Sequence, residues 1–201
     1  MAASGLDPSK IFPFPLDDFQ LEAIDALNQG HSVVVSAPTG SGKTLVGEYA
    51  IHRALAHGQK VFYTTPLKAL SNQKLRDFRE AYGDDNVGLM TGDLSVNREA
   101  SIVVMTTEIF RNMLYAEASE QDDPLADVEA VVLDECHYMN DSQRGTVWEE
   151  SIIHCPPSVQ LVALSATVAN AGQLTDWIEK VHGPTTLVLS DYRPVPLQFS
   201  F

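Results

Sequence analysis

Cysteine, basic residues and long apolar runs are scarce in this sequence, and each shortage excludes a class of protein. Two cysteines among 201 residues cannot form the disulfide framework of a small secreted scaffold, which indicates a reducing compartment. No apolar run approaches the length of about 20 residues that a membrane-spanning helix needs, so we expect no membrane partner. The opening segment MAASGLDPSK lacks the apolar core of a secretory signal, so we expect no secretion either.

The charge balance excludes a simple electrostatic binder of nucleic acid. The chain has 13 lysines and arginines against 27 aspartates and glutamates, a formal net charge of −14 at pH 7. Proteins that bind nucleic acid by charge alone usually carry a basic face. If this chain binds nucleic acid, it must therefore use backbone amides, hydroxyl groups and a few placed cations.

Short apolar runs alternate with segments of helical periodicity. Strands are predicted at residues 31–37, 60–65, 86–92, 101–107, 130–134, 159–167 and 185–190. Helices are predicted at residues 43–58, 67–83, 108–118 and 171–183, with an acidic loop at 119–129. Continuous apolar strands separated by helices indicate an α/β domain with a mostly parallel sheet and helices on both faces.

The segment APTGSGKT, Ala37 to Thr44, predicts a phosphate-binding P-loop, with Ala37 in the place of its first glycine. It lies between an apolar strand and an amphipathic helix, the context that separates a true P-loop from a chance match. We expect a nucleotide as ligand, with backbone amides around the phosphates, Lys43 reaching the β and γ phosphates, and Thr44 coordinating Mg²⁺. The predicted nucleotide contacts are Pro38, Thr39, Gly40, Ser41, Gly42, Lys43 and Thr44.

A second apolar strand, AVVLDE, ends in two carboxylates, Asp134 and Glu135, which is the Walker B pattern. Asp134 is predicted to hold Mg²⁺, because this hard cation prefers oxygen ligands. Glu135 is predicted to orient the attacking water and accept its proton.

Two cysteine–histidine pairs follow the carboxylates and raise the alternative of a zinc site. The candidate ligands are Cys136, His137, His154 and Cys155. Adjacent residues on an extended strand point to opposite faces, so the Cys136–His137 pair is expected to chelate poorly. Nothing near Cys136 beyond His137 suggests an activating base for a thiol nucleophile. We interpret Cys155 as a small buried apolar residue.

Several longer motifs occur in one order. They are FPFPLDDFQ, TTPLKALSNQK, TTEIFRNMLY, DECHYMNDSQRGTVWEE, SAT and DYRPVPL. Together they resemble superfamily 2 helicases of the DExH type, and more narrowly the Ski-like RNA helicases with their cyanobacterial and chloroplast members. The resemblance runs from Phe12 to Leu197 and covers the first of two RecA-like domains. It implies an N-terminal extension at 1–11, a RecA-like domain at 12–190, and an exit segment at 191–201 toward a second domain.

The resemblance also assigns site residues. Gln20 is expected to read the adenine edge and Phe14 to lie against the adenine ring. The alternative for both is a structural role, at the start of a helix or in the core. His137 is expected to link the nucleotide site to the second domain or to Ser165 and Thr167, with a buried structural histidine as the alternative. The expected nucleic-acid contacts are Thr65, Pro66, Lys68, Thr91, Gly92, Thr107, Glu108 and Arg111. For Lys68 and Arg111 the alternative is a solvated helix face; Trp148 is interpreted as core.

The resemblance implies the N-terminal domain of an ATP-dependent RNA helicase, located in the bacterial cytoplasm or the chloroplast. Its expected partners are single-stranded RNA and the second RecA-like domain of the same protein, and by itself the domain is expected to be monomeric and nearly inactive. The alternatives are a DNA helicase of the same superfamily and a nucleotide-dependent binding module without turnover. Intact Lys43, Asp134 and Glu135 argue against the latter, and the motifs PLKALSNQ and SAT argue against a P-loop kinase.

Overall fold

The structure is a computed structural model that describes residues 7–38, 40–117, 125–136 and 142–190. The helices are α1 Pro8–Ile11, α2 Asp18–Asn28, α3 Thr44–Ala56, α4 Lys68–Tyr82, α5 Thr107–Glu117, α6 Ser142–His154 and α7 Ala171–Val181. The strands are β1 Ser32–Ser36, β2 Lys60–Thr65, β3 Val87–Met90, β4 Ser95–Val96, β5 Ile102–Thr106, β6 Val128–Leu133, β7 Gln160–Ser165 and β8 Thr185–Leu189. A 3₁₀ turn at Asp84–Asn86 precedes β3.

The strands form one eight-stranded sheet in the order β4-β3-β5-β2-β6-β7-β1-β8. All neighbouring pairs are parallel except β3 with β4. Every residue of β1 is buried, as expected for a central strand that is covered on both faces. The predicted α/β class with a mostly parallel sheet is confirmed.

Two apolar cores lie on opposite faces of the sheet. On one face, side chains of α2, α3 and α4 pack against alternate strand residues such as Val33, Val35 and Tyr63. On the other, side chains of α5, α6 and α7 pack against the intervening residues, among them Val34 and Phe62. The helices therefore cover both faces, as predicted. Trp148 belongs to the second core, where its ring stacks on Trp177 at a centroid distance of 6.3 Å, so its interpretation as a core residue is confirmed.

The structure corrects the predicted elements in two respects. First, β6 spans Val128–Leu133 rather than 130–134, so Asp134 lies in the turn after the strand. Its backbone N–H donates to Thr64 O at 3.0 Å, which extends the pairing by one bond. Second, four elements were not predicted, namely α1, α2, α6 and the short antiparallel strand β4. The apolar residues of α2 do recur at helical spacing, and a capping box between Asp17 and Gln20 marks its start.

The domain limits predicted at both ends stay predictions. Within the proposed N-terminal extension, α1 begins at Pro8, and Ile11 packs against the first core. The proposed exit segment, 191–201, lies outside the described residues, as does most of the acidic loop. Among the helices that the structure describes, none combines the length and apolarity required to cross a bilayer.

We predict that stability falls as the pH drops below about 6.5, because burial of His182 and partial burial of His52 disfavour their protonated forms. Burial lowers the pKa of His182, and hydrogen bonds to Pro156 and Val159 oppose this only in part. Burial also lowers the pKa of His52. Because the unfolded chain binds the proton more readily, this stability is complete above the unfolded pKa of about 6.5 and is lost as the pH falls toward the folded values.

The measurement is urea unfolding at pH 7.5 and at pH 5.5. In the variant His182→Gln, which cannot be protonated at this position, the loss of stability between these pH values should be smaller than in the wild type. An equal loss in both proteins would contradict the assignment to His182.

Candidate nucleotide and nucleic-acid site

The candidate site residues lie at the edge of the sheet where the parallel strands end. In the order of the sheet, β5, β2, β6, β7 and β1 are neighbours and run in the same direction. Ser36, the last residue of β1, is paired with Ser165 at the end of β7. Thr64 is paired with Leu133, the last residue of β6. The P-loop, the Asp134 turn and the loop after β2 therefore meet at one edge, where ligands of open α/β sheets bind.

The P-loop depends on two glycines with left-handed backbone conformations. Gly40 has φ +81° and Gly42 has φ +88°, values that residues with a Cβ adopt only with strain. A Cβ on Gly42 would also lie 2.8 Å from Gln20 Nε2, whereas one on Gly40 would meet no atom of the described residues within 4 Å. Such clearance from the described residues is what a loop needs if its backbone is to approach a phosphate closely.

Two buried polar groups of the loop fit an anionic ligand. Lys43 is 7% exposed, and its ammonium group donates to Ala37 O at 3.2 Å, a neutral acceptor. The hydroxyl of Ser41 is buried and has no hydrogen-bond partner among the described residues. A buried cation and an unsatisfied hydroxyl are both stabilised when a phosphate accepts their hydrogen bonds. Pro38 is half-buried and Thr44 begins α3, while Thr39 lies outside the described residues.

Gln20 ties the start of α2 to the P-loop. Its Oε1 accepts a hydrogen bond from Asp17 N at 2.8 Å, and its Nε2 donates to Gly42 O at 2.9 Å. Phe14 is 51% exposed, so the alternative that it packs in the core is wrong. Its ring centroid lies 5.9 Å from that of Phe12, which is the buried member of the pair. The adenine contacts of Gln20 and Phe14 stay predictions.

Asp134 is held in a buried position by two hydrogen bonds. Its Oδ2 accepts from the Tyr63 hydroxyl at 2.6 Å, and its Oδ1 accepts from Glu135 N at 2.9 Å. Burial and the Asp134 carboxylate raise the pKa of Tyr63 well above its usual value, so Tyr63 remains a donor. Glu135 has φ +56°, a conformation that is uncommon outside glycine and that often occurs at functional sites. The Asp134 carboxylate and the Thr44 hydroxyl are oxygen donors of the kind that Mg²⁺ prefers.

The sequence interpretation missed Tyr63, although a signal was present. A tyrosine inside an otherwise apolar strand brings a hydroxyl group into the core, and a buried hydroxyl requires a hydrogen-bond partner. The partner is the Asp134 carboxylate, which lies near Tyr63 because β2 pairs with β6. Only the structure shows that pairing.

Cys136 does not have the extended backbone on which the argument against a zinc site was based. Cys136 lies in a turn after β6 and not on an extended strand, so the argument from opposite strand faces is wrong for this residue. Cys136 and Cys155 are both buried in the second core, which confirms the interpretation of Cys155. Burial raises the pKa of Cys136 to about 12, and a hydrogen bond with Ser165 opposes this in part. The group is therefore a neutral thiol near pH 7, which disfavours both metal binding and nucleophilic attack.

The other candidate zinc ligands do not form a cluster among the described residues. His154 is exposed, and its ring contacts the ring of Tyr115 at a centroid distance of 5.3 Å. His137 lies outside the described residues. Among the residues that are described, no three histidine, cysteine, aspartate or glutamate side chains are grouped as a metal site would require.

The threonines predicted to contact nucleic acid use their hydroxyl groups within the protein. Thr65 Oγ1 donates to Leu67 O at 2.9 Å and lies 2.7 Å from Ser71 Oγ. Thr107 Oγ1 donates to Thr65 O at 3.2 Å, which joins the loops after β2 and β5. These hydroxyls hold the loops in place, and Pro66 beside them is half-buried.

The two cations predicted to contact nucleic acid each face a carboxylate. Lys68, on the first turn of α4, forms an ion pair with Asp93 in the loop after β3. The same loop contains Thr91 and exposed Gly92, and Thr91 N donates to Leu94 O at 2.8 Å. Arg111 is half-buried and lies 3.6 Å from a Glu150 carboxylate oxygen, so it is not a solvated cation. Lys68 is exposed, and the alternative of a solvated helix face stays open for it.

The remaining predicted residues lie at the same edge of the sheet. Glu108 is exposed on the first turn of α5. Ser165 is buried and donates to Ala166 O at 2.7 Å, whereas Thr167 is exposed. A link from Ser165 and Thr167 to His137 stays a prediction.

Comparison with known proteins identifies the family. A family profile described as DEAD/DEAH box helicase matches residues 17–174, most of the chain. The chain belongs to the DEAD/DEAH box helicase family. It is 58% identical over 193 residues to a chloroplastic DExH-box ATP-dependent RNA helicase, DExH15, of Arabidopsis thaliana. It is 57% identical over 185 residues to the probable helicase HelY of Mycobacterium tuberculosis, and 49% identical over 195 residues to the antiviral helicase SKI2 of Saccharomyces cerevisiae. The recognised resemblance to Ski-like DExH helicases is confirmed.

These relatives are much longer than this helicase domain. The matched region covers 95%, 92% and 96% of the chain but only 16%, 20% and 15% of the three relatives. Among solved structures, the domain is similar to the Mycobacterium smegmatis helicase Lhr bound to single-stranded DNA and AMP-PNP. That match has a TM-score of 0.70 and 27% identity and covers 90% of this chain and 26% of the other. The Pyrococcus furiosus Hef helicase domain shares the fold, with a TM-score of 0.65 and 22% identity over 90% of this chain and 39% of the other.

We predict that Lys43→Ala weakens binding of ADP with Mg²⁺ at least about tenfold. A hydrogen bond to a charged group contributes roughly 1.5–3 kcal/mol, and about 1.4 kcal/mol is a factor of ten. Calorimetric titration measures the affinity, with Lys180→Ala, an exposed lysine near the end of α7, as the matched control. Unchanged affinity in Lys43→Ala would exclude the phosphate contact.

We also predict that the purified chain contains no stoichiometric zinc. The buried thiol of Cys136 is protonated at neutral pH, and zinc requires the thiolate. Elemental analysis of protein purified without chelators tests this. One zinc per chain that disappears in the variant Cys136→Ser would show that the prediction is wrong.

Proposed function

We propose that this domain is the first RecA-like domain of an ATP-dependent DExH RNA helicase. The observation that carries the proposal is the arrangement of Lys43 in a glycine-rich loop after β1 and of Asp134 and Glu135 directly after β6, at the same edge of the sheet. Relatives named as ATP-dependent RNA helicases support it. The domain would supply half of an ATPase site.

Binding of ATP uses groups that the structure already orients. The amides of the P-loop and the N-terminus of α3 favour a negatively charged ligand, and Lys43 adds a full positive charge inside the loop. Gln20 holds the carbonyl of Gly42, so the position of α2 is linked to that of the loop. Thr44 and Asp134 would hold Mg²⁺, which when bound neutralises charge on the phosphate oxygens.

Hydrolysis requires a water held in line with the γ-phosphate. Glu135 is the carboxylate expected to orient that water and take its proton, and its left-handed backbone turns the chain sharply after Asp134. Phosphoryl transfer depends on positioning and on stabilisation of charge rather than on covalent chemistry. A cation from a second RecA-like domain of the same protein would complete the site, so ATP hydrolysis by the domain alone is expected to be slow. We also expect the domain alone to be monomeric.

The nucleic-acid strand is proposed to lie across the loops after β2, β3 and β5. These loops end neighbouring strands and lie at the same edge as the nucleotide site. Lys68 and Arg111 are their candidate cations. Lys68 and Asp93 form an exposed ion pair, which contributes only about 0–1 kcal/mol, so a phosphate could replace this carboxylate at little cost. Arg111 and Glu150 form a half-buried pair, in which a phosphate would have to displace Glu150. Backbone amides can supply further contacts without positive charge.

RNA is favoured over DNA as substrate because several relatives carry names of RNA helicases. A specific observation keeps DNA as the second candidate, since the similar Lhr structure contains single-stranded DNA. Contacts to the 2′-hydroxyl distinguish RNA from DNA, so stimulation of ATPase activity by the two polymers decides the question. The relatives named above support location in the chloroplast or the bacterial cytoplasm.

We predict that the 201-residue chain hydrolyses ATP very slowly and does not unwind duplexes. An arginine finger contributes about 10³- to 10⁵-fold in rate, or roughly 4–7 kcal/mol, and here it would come from the second domain. The measurement is steady-state release of phosphate with and without single-stranded RNA. Several turnovers per second that increase with RNA would contradict the need for a second domain.

The complementary test uses a longer protein that includes the following RecA-like domain. RNA should stimulate its ATPase activity more than DNA of the same sequence. Glu135→Gln should abolish turnover and spare ATP binding, because the amide cannot accept the proton. Equal activity of this variant and the wild type would exclude Glu135 as the base.

A further inference from the structure

We propose that Tyr63 is a positioning residue for the metal site, because its buried hydroxyl fixes the orientation of the Asp134 carboxylate. This inference rests on the proposed function, in which Asp134 holds Mg²⁺. Tyr63 lies on β2, outside both nucleotide motifs, and is fully buried. Its hydroxyl donates to Asp134 Oδ2 at 2.6 Å.

The ring of Tyr63 is held by neighbours from two elements, α3 and α4. On α3, a Cβ added to Gly47 would lie 3.4 Å from the ring, so the helix approaches closely at this glycine. On α4, the ring of Phe78 meets that of Tyr63 edge-on at a centroid distance of 4.9 Å, and Lys74 Nζ lies 5.6 Å from the Tyr63 centroid. Because the ring cannot move without disturbing α3 or α4, the hydroxyl is a fixed donor.

The two hydrogen bonds to Asp134 engage different oxygens of the carboxylate. Glu135 N binds Oδ1 and the Tyr63 hydroxyl binds Oδ2, so rotation of the carboxylate would break both bonds. Hydrogen bonds to a charged acceptor are shorter and about twice as strong as those between neutral groups. Groups that orient a metal ligand in this way typically change metal affinity or activity by about 10- to 100-fold when they are lost.

A purely structural role for the hydroxyl is the competing explanation, and the chain contains a matched control for it. Tyr49, on α3, is also fully buried, and its hydroxyl donates to Asn28 Oδ1 at 2.7 Å. That acceptor is a neutral amide outside the nucleotide motifs. Loss of either hydroxyl should therefore lower stability, whereas only loss of the Tyr63 hydroxyl should change metal binding.

The experiment compares Tyr63→Phe and Tyr49→Phe with the wild-type 201-residue chain. Binding of Mn²⁺ in the presence of ADP is measured by electron paramagnetic resonance, which counts free Mn²⁺ directly, and stability is measured by urea unfolding. We expect Mn²⁺ binding about 10- to 100-fold weaker in Tyr63→Phe. We expect wild-type Mn²⁺ affinity in Tyr49→Phe, with a lowered urea midpoint in both variants.

Each other outcome overturns the inference in a recognisable way. Wild-type Mn²⁺ affinity in Tyr63→Phe would show that the hydroxyl is only structural. Equal weakening in both variants would show that metal binding follows stability. A wild-type chain that binds no Mn²⁺ with ADP would overturn the proposed function and this inference together. If Tyr63→Phe does not fold, Phe78→Leu replaces it: this variant keeps the hydroxyl and loosens its ring, so wild-type Mn²⁺ affinity there would overturn the inference.

Discussion

The parallel pairing of five neighbouring strands is the constraint on which the site depends. Because β5, β2, β6, β7 and β1 run in one direction, residues from distant parts of the sequence reach the same edge of the sheet. The two cores make this pairing stable by covering both faces of strands that are almost wholly buried. Reversal of one central strand would move its loop to the opposite edge and separate the P-loop from Asp134 or from the candidate nucleic-acid loops.

Within that frame, the polar groups of the site are ordered by short contacts between loops. Gln20 binds the P-loop carbonyl of Gly42, and Tyr63 binds Asp134. Thr107 binds the carbonyl of Thr65, so the loops after β5 and β2 are joined. Each hydrogen bond connects two elements, so a displacement of one loop would also displace the loop to which it is bonded. Such preorganisation lowers the cost of arranging charged groups when a ligand binds.

The strongly acidic composition is compatible with a nucleic-acid function because of how the few cations are placed. Lys43 is buried in the P-loop, where its charge acts in a medium of low polarity. Lys68 faces Asp93 in an exposed pair that can exchange its carboxylate for a phosphate with a small change in free energy. Arg111 faces Glu150 in a half-buried pair. Net charge governs solubility and long-range attraction, whereas the contacts in a bound complex are made by individual charged groups.

The sequence by itself determined the features that depend on neighbouring residues. The P-loop needs only a strand, a glycine-rich turn and a helix in succession, so Gly40, Gly42 and Lys43 were recognisable, and continuous apolar runs indicated a parallel sheet. Tertiary structure alone decided which groups meet across the sheet: the bond of Tyr63 to Asp134, the tether of Gln20 to Gly42, and the pairing of Lys68 with Asp93. It also decided that Phe14 is exposed while Phe12 is buried, and that Cys136 lies in a buried turn. The physical reason is that hydrogen bonds and burial act over a few ångströms in space, and only the pairing of strands and the packing of helices bring such distant residues within that range.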